Sequence, residues 1–126
     1  MPHILIVDDD SATRRMLRRT LERAGHTVSE SEDGNSALRA LQSAAADVVI
    51  TDVIMPGMEG IETIQTLRKR YPTVKIIAMS GGGHIGPDDY LSVAEAFGAA
   101  RIFKKPFDTD DLLAAIEEVL GRAQKS

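Results

Sequence analysis

Short apolar runs alternate with amphipathic stretches along this chain. Strong runs lie at Ile4–Val7, Asp47–Thr51 and Val74–Met79, and weaker ones at Thr27–Glu30 and Arg101–Phe103. Continuous apolar runs of this length are typical of strands that are buried on both faces of a sheet. The pattern therefore predicts five strands.

The stretches between these runs have the spacing of helices. In the first of them the apolar positions fall on one stripe, formed by Met16, Leu17, Leu21 and Ala24. Gly25 is placed to end this helix, and Asp33-Gly34 opens the next one. In all, the spacing predicts five helices: Ser11–Ala24, one from Asp33-Gly34, Glu59–Arg70, Asp88–Phe97, and one that begins at Asp108 and ends at Gly121.

Strand and helix alternate five times, which predicts the α/β class. Such units form a parallel sheet with helices on both faces, so we expect a doubly wound, flavodoxin-like (βα)5 fold. The common strand order for five strands is 2-1-3-4-5. Residues 1–126 are expected to form a single domain, and few residues follow the last helix, so no output domain is expected.

Composition narrows the possible functions. The chain has no Cys, which excludes disulfides and thiolate metal sites. It has no apolar stretch long enough to span a membrane and no signal-peptide pattern, so a cytoplasmic location is predicted. A net charge of -4 argues against nucleic-acid binding. The one basic cluster is interpreted as the solvated face of a helix, with a partner-binding patch as the alternative; it comprises Arg14, Arg15, Arg18 and Arg19.

Carboxylates follow two strands that the predicted order places side by side. Asp8, Asp9 and Asp10 come directly after the first strand, and Asp52 comes directly after the third. Ligands of open α/β sheets bind at the carboxyl ends of the strands where the strand order reverses, here between strands 1 and 3. Clustered carboxylates repel one another, and a hard cation such as Mg²⁺ would offset their charge. The alternative is that the three consecutive acids only cap the first helix, a role for which Asp10 or Ser11 suffices.

A hydroxyl and a lysine are predicted at the same edge of the sheet. Ser80 ends the fourth strand, and Lys104-Lys105-Pro106 follows the fifth. Carboxylates, a hydroxyl, a Lys and Mg²⁺ together suit phosphoryl transfer to an Asp side chain, with the carboxylate as nucleophile.

Four segments of the chain resemble the signature blocks of the receiver (CheY-like) domain of bacterial two-component response regulators. The blocks occur in the same order as in that family, and the match extends over essentially the whole chain. The segments are Ile4–Asp10, Thr51–Gly60, Ile76–Gly81 and Phe103–Phe107. The resemblance implies a stand-alone receiver domain.

The resemblance also implies a role for each site residue. Asp52 is the phosphoacceptor, and Asp8, Asp9, Asp52 and the backbone carbonyl of Ile54 are the implied Mg²⁺ ligands. Ser80 takes the switch position, and Lys105 is the implied phosphate-binding lysine.

Two of the departures from the family pattern bear on the switch. The family often has an aromatic residue three positions before the lysine, where this chain has Ile102. An aliphatic side chain at this switch-coupled position puts an aromatic rotamer switch in doubt. The Gly-rich loop between Ser80 and Asp89 is longer than is usual, so the switch is expected to rely on rearrangement of this loop.

The function implied is a phosphorylation-dependent signalling switch. The phosphodonor would be a sensor histidine kinase or a histidine phosphotransfer protein, and the output would be contact with a downstream protein, onward phosphorelay or a phosphorylation-dependent dimer. No enzyme activity is expected beyond the chain's own Mg²⁺-dependent phosphorylation and dephosphorylation. The alternatives are a degenerate receiver that binds without phosphorylation and a Mg²⁺-dependent aspartyl-phosphate phosphotransferase. Such a phosphotransferase would need a second Asp two residues after Asp52, where this chain has Ile54.

Overall fold

The structure, a computed structural model, describes residues 2–52, 59–80, 98–104 and 108–121. Five strands and four helices lie within these ranges. The strands are β1 (His3–Val7), β2 (Thr27–Ser31), β3 (Val48–Asp52), β4 (Lys75–Ser80) and β5 (Arg101–Lys104). The helices are α1 (Ser11–Arg23), α2 (Gly34–Ser43), α3 (Glu59–Arg70) and α4 (Thr109–Val119). The predicted helix Asp88–Phe97 lies outside the described residues.

All five strands are parallel and lie in the order β2-β1-β3-β4-β5, which confirms the predicted topology. The order places β1 and β3 side by side in the middle of the sheet. Their carboxyl ends therefore meet where the chain reverses its direction of winding, which is where open α/β sheets bind ligands.

Two apolar clusters cover the two faces of the sheet. Leu5, Val7 and Val49 point to the face that is packed by α2 and α3. Ile6 and Ile50 point to the opposite face, which is packed by α1 and α4. Side chains of a strand alternate between faces, so consecutive residues of β1 and β3 enter different clusters. The doubly wound arrangement is thus confirmed within the described residues.

The apolar stripe of α1 is narrower than the sequence predicts. Leu17 and Leu21 are fully buried against the sheet, but Met16 is 46% exposed and Ala24 is also exposed. Met16 stands about 100° around the helix from Leu17 and so turns away from the sheet, while Ala24 is the C-cap residue after the last helical turn. The predicted placement of these two residues in the stripe is wrong.

Helix ends follow the predicted capping residues. Asp10, Asp33 and Asp108 are the N-caps of α1, α2 and α4, and α1 ends before Gly25, which has a positive φ of 96°. No helix among the described residues has the length and apolar character needed to cross a membrane.

A glycine three residues before β5 is required by packing that the sequence does not reveal. Gly98 has a φ of 117°, and a Cβ built there would lie 2.4 Å from Cδ of Arg68. The Arg68 guanidinium donates to the carbonyl oxygens of Tyr71 and Val74, beyond the end of α3. The chain therefore enters β5 by passing directly over an anchored side chain.

Removal of the Asp33 cap tests the start of α2. Asp33 Oδ1 accepts a hydrogen bond from the backbone N–H of Ser36 at 2.7 Å, which, together with the Ser36 side chain, lowers the pKa of Asp33. We expect Asp33→Ala to lower the free energy of unfolding by about 1 kcal/mol near neutral pH, and Asp33→Asn to be nearly neutral. Urea denaturation measures both variants.

The pH dependence of this effect has a defined sign. Because the folded-state pKa of Asp33 is lowered, the carboxylate contributes its full stabilisation above the ordinary aspartate pKa and loses it as the pH falls through the lower folded-state value. The difference between wild type and Asp33→Ala should therefore shrink in acid. An equal difference at all pH values would contradict this assignment.

Candidate functional site

The site lies where β1 and β3 end. Asp8 follows directly on β1, and the register pairs Val7 with Thr51, so Asp8 and Asp52 come next on neighbouring strands. The sequence pattern predicts Asp52 just beyond the third strand, which is wrong by one residue. Asp52 is the last residue of β3, because its backbone still pairs with Met79 of β4. The carboxyl group of Asp52 is thus attached to a paired strand rather than to a loop.

Three carboxylates converge at this point. One oxygen from each of Asp8, Asp9 and Asp52 lies within 4.8 Å of the others. Asp8 is fully buried, Asp52 is 6% exposed and Asp9 is exposed. The set offers only carboxylate oxygens, which are the donors that a hard divalent cation prefers. The predicted gathering of these three acids is confirmed.

The third consecutive acid has a different role. Asp10 accepts hydrogen bonds from the backbone N–H of Ala12 at 3.2 Å and from the hydroxyl of Thr13 at 2.6 Å. It is the N-cap of α1, so helix capping accounts for Asp10 but leaves Asp8 and Asp9 for the acidic cluster. Of the two capping residues that the sequence allowed, Asp10 rather than Ser11 serves.

Among the described residues, hydrogen bonds from three neighbours hold the main chain and side chain of Asp8. Its N–H donates to the carbonyl oxygen of Ser31 at 3.1 Å, at the end of β2. Its Oδ1 accepts from the N–H of Asp10 at 2.9 Å. Its carbonyl oxygen accepts from Nη1 of Arg14 at 2.5 Å. The orientation of this buried carboxylate is therefore fixed by β2, by the start of α1 and by an arginine.

The role of Arg14 was not predicted from the sequence, because the four arginines of α1 were interpreted as one solvated face. Arg15 and Arg19 are indeed exposed. Arg14 and Arg18 instead turn toward β2, where both bind the carboxylate of Glu30 at 3.1 Å. One signal in the sequence could have identified Arg14. It stands four residues, or about one helical turn, after the N-cap Asp10, and side chains of a helix point back toward its N-terminus, here over the end of β1.

Glu30 is held as a carboxylate in this network. Its partial burial raises its pKa, but hydrogen bonds from Arg18 and Arg14 outweigh that effect and keep the pKa below its ordinary value. Arg18 also donates to Glu22 at 3.1 Å.

The other predicted site residues are described only in part. Ser80 ends β4, and its Cα pairs in register with that of Lys104 in β5; the backbone that leads to Lys105 therefore runs beside the end of β4. Ile54, Lys105 and the Gly-rich loop lie outside the described residues, as do the side chains of Ser80 and Lys104. Their roles stay predictions.

Ile102 is described, and its packing bears on the predicted aromatic switch. It is half-buried against the cluster beneath α2 and α3, whereas Phe103 packs on the opposite cluster with α1 and α4. The Arg101 guanidinium lies 5.8 Å from the centroid of the Phe103 ring. Since neighbouring strand residues face opposite sides, Phe103 does not replace the missing aromatic side chain at position 102.

Comparison with known proteins gives one consistent result. The model of the response regulator receiver domain family matches residues 4–117. The response regulator receiver protein CpdR of Brucella abortus is 34% identical over 122 residues, which cover 95% of this chain and 98% of that protein.

Two further relatives differ in length. The DNA-binding transcriptional regulator NtrC of Salmonella typhimurium is 36% identical over 97% of this chain, but the chain spans only 25% of it. The crystallised chemotaxis response regulator CheY4 of Vibrio cholerae superposes with a TM-score of 0.82 at 34% identity, covering 94% of this chain and 98% of that one.

Proposed function

Since this chain belongs to the receiver domain family of two-component response regulators, we propose that Asp52 accepts a phosphoryl group from a phosphohistidine and that the phosphorylated protein signals to a protein partner. The observation that carries the proposal is the convergence of three carboxylate oxygens within 4.8 Å at the carboxyl ends of β1 and β3. Such a cluster supplies both a nucleophile and the ligands for a divalent cation.

The proposed reaction is a transfer between two protein side chains. A carboxylate oxygen of Asp52 attacks phosphorus, the new O–P bond forms, and the P–N bond to the donor imidazole breaks and leaves its electron pair on the ring nitrogen. Asp52 suits this role because its backbone is fixed in β3 while its side chain keeps 6% exposure at the sheet edge.

The acidic cluster would hold Mg²⁺. Asp8, Asp9, Asp52 and the backbone carbonyl of Ile54 are the proposed ligands, and the all-oxygen donor set of the three acids fits this ion. When bound, Mg²⁺ offsets the negative charge of the carboxylates and of the incoming phosphoryl group. We propose that Ser80 and Lys105 bind the phosphoryl oxygens and so report phosphorylation to the rest of the domain.

The partners follow from this chemistry. A sensor histidine kinase or a histidine phosphotransfer protein would donate the phosphoryl group, and the proposed location is the cytoplasm, where such donors are phosphorylated. DNA binding is named for NtrC as a whole, of which this chain aligns with a quarter, and is not proposed for this chain. Beyond its own phosphorylation and dephosphorylation, no enzyme activity is proposed. Neither the degenerate receiver nor the phosphotransferase is favoured, since the family match and the intact acidic cluster both support a switch.

Intact-mass spectrometry tests the proposal. After incubation with Mg²⁺ and acetyl phosphate, the protein is expected to gain the mass of one phosphoryl group, and peptide mapping is expected to place it on Asp52. EDTA should prevent the gain. A protein that gains no phosphoryl group from acetyl phosphate or from any of a panel of phosphorylated histidine kinases would refute the proposed function.

A further inference from the structure

Arg14 contacts the acidic cluster at a backbone carbonyl oxygen and not at a side-chain carboxylate. Its Nη1 donates to the backbone carbonyl oxygen of Asp8 at 2.5 Å. The contact fixes the peptide that joins Asp8 to Asp9, which are two of the three members of the cluster. Any movement of this peptide would change the distances between the carboxylates.

Arg14 is itself held in place. Only 16% of its side chain is exposed, and its Nε donates to Glu30 on β2 at 3.1 Å. Glu30 also binds Arg18, which binds Glu22 one helical turn further along α1. The guanidinium is planar and presents donors in two directions, so a single side chain bridges the end of β1 and the edge strand β2.

The charges of this network argue that its effect on the cluster is geometric. It contains two arginines and two glutamates and is therefore formally neutral. The atom that Arg14 contacts at the cluster is a carbonyl oxygen, which carries no net charge. The network therefore adds no net charge beside the carboxylates, whereas the Arg14 contact can set where they stand.

We infer that Arg14 is a positioning residue, which holds the Asp8–Asp9 peptide so that the acidic cluster is preformed for a divalent cation. The inference rests on the proposed function for the identity of that cation. It assigns Arg14 a role like that of the hydrogen-bonding groups that orient metal ligands in other proteins, whose loss typically weakens metal affinity by about 10-fold to 100-fold.

Measurement of Mg²⁺ affinity by isothermal titration calorimetry on the full chain distinguishes a positioning role of Arg14 from an effect of its charge. A charge effect alone predicts tighter Mg²⁺ binding when Arg14 is replaced by Ala, because a cation near the site is removed. The positioning role predicts the opposite, with binding weaker by about 10-fold or more in Arg14→Ala. It also predicts weaker binding in Arg14→Lys, which keeps the charge but has a single ammonium group in place of the planar fork.

Arg18→Ala and Arg15→Ala are the matched controls. Arg18 shares the Glu30 partner but makes no contact with Asp8 among its described hydrogen bonds, and Arg15 is exposed on the same helix. Both variants should bind Mg²⁺ within about 2-fold of wild type, because the peptide of Asp8 stays held.

A second readout needs no metal. The N–H of Asp10 donates to Oδ1 of Asp8, so its hydrogen exchange, measured by NMR in EDTA, reports how firmly the side chain of Asp8 is held. Exchange should be faster in Arg14→Ala and Arg14→Lys and unchanged in Arg18→Ala. Arg14→Lys with wild-type affinity and wild-type exchange, or Arg14→Ala with tighter Mg²⁺ binding, would overturn the inference. Failure of the wild type itself to bind Mg²⁺ would instead refute the proposed cofactor.

Discussion

The Asp52→Asn variant is expected to accept no phosphoryl group and, in the absence of Mg²⁺, to be more stable than the wild-type protein. The first effect follows from chemistry, since an amide has no anionic oxygen with which to form an acyl phosphate. The second follows from the geometry of the cluster. Asp8, Asp9 and Asp52 lie within 4.8 Å of one another, and two of them are buried.

The size of the stabilisation can be bounded. Two unit charges about 4 Å apart repel by roughly 4 kcal/mol at an effective dielectric constant of 20, and exposure of Asp9 screens part of this. A net gain on the order of 1 kcal/mol would raise the melting temperature by roughly 3–5 °C for a domain of this size. Mg²⁺ should stabilise the wild type by mass action and the variant much less. Thermal unfolding followed by circular dichroism measures the melting temperatures of the wild type and of Asp52→Asn, each in EDTA and in Mg²⁺.

Asp47→Asn is the matched control, because it removes a carboxylate at the opposite end of the same strand. Asp47 is exposed and accepts a hydrogen bond from the N–H of His3 at 2.9 Å, far along the strand from the acidic cluster. This variant should be phosphorylated like the wild type and should gain no stability. Phosphorylation of Asp52→Asn, or equal melting temperatures of Asp52→Asn and wild type in EDTA, would contradict the prediction.

Truncation of Ile50 to Ala is expected to lower the free energy of unfolding by about 2–5 kcal/mol, the range for large-to-small changes in a packed core. Ile50 is fully buried in β3, two residues before Asp52, in the cluster that packs α1 and α4 against the sheet. Neighbouring strands on both sides hold its backbone, so the core cannot collapse easily into the space left by the side chain. A loss of this size is a large part of the roughly 5–15 kcal/mol that stabilises a typical domain.

Ile50→Val provides the control, since it removes one methylene group and should cost about 0.5–1.5 kcal/mol. Urea denaturation monitored by circular dichroism gives the free energies, and an unchanged slope with urea concentration would show that only stability has changed. A cost below about 1 kcal/mol for Ile50→Ala would mean that this position is less tightly packed than the structure indicates.

The fold and much of the site were predictable because they depend on local patterns. Apolar runs such as Ile4–Val7 identify strands buried on both faces, and Asp10, Asp33 and Asp108 start the helices where the sequence placed them. The alternation of strands and helices then allows few topologies. The parallel order brought Asp8, Asp9 and Asp52 together as expected.

The errors share a physical cause, which is that adjacent residues of similar character can face different partners. Met16 was assigned to the buried stripe of α1 but is 46% exposed, because a turn of about 100° separates it from Leu17. The four arginines of α1 looked alike, yet only Arg14 and Arg18 meet Glu30, which is supplied by a strand that the helix spacing does not reveal.

The sequence alone therefore determined the class of fold, the strand order and the identity of the acidic cluster, because periodicity, capping and strand ends are properties of neighbouring residues. Tertiary structure alone decided that Asp52 belongs to a paired strand, that Gly98 passes over Arg68, and that Arg14 holds the peptide of Asp8. Each of these depends on atoms brought together from distant parts of the chain. Their distances are set by how the helices pack on the sheet, and no local pattern encodes that packing.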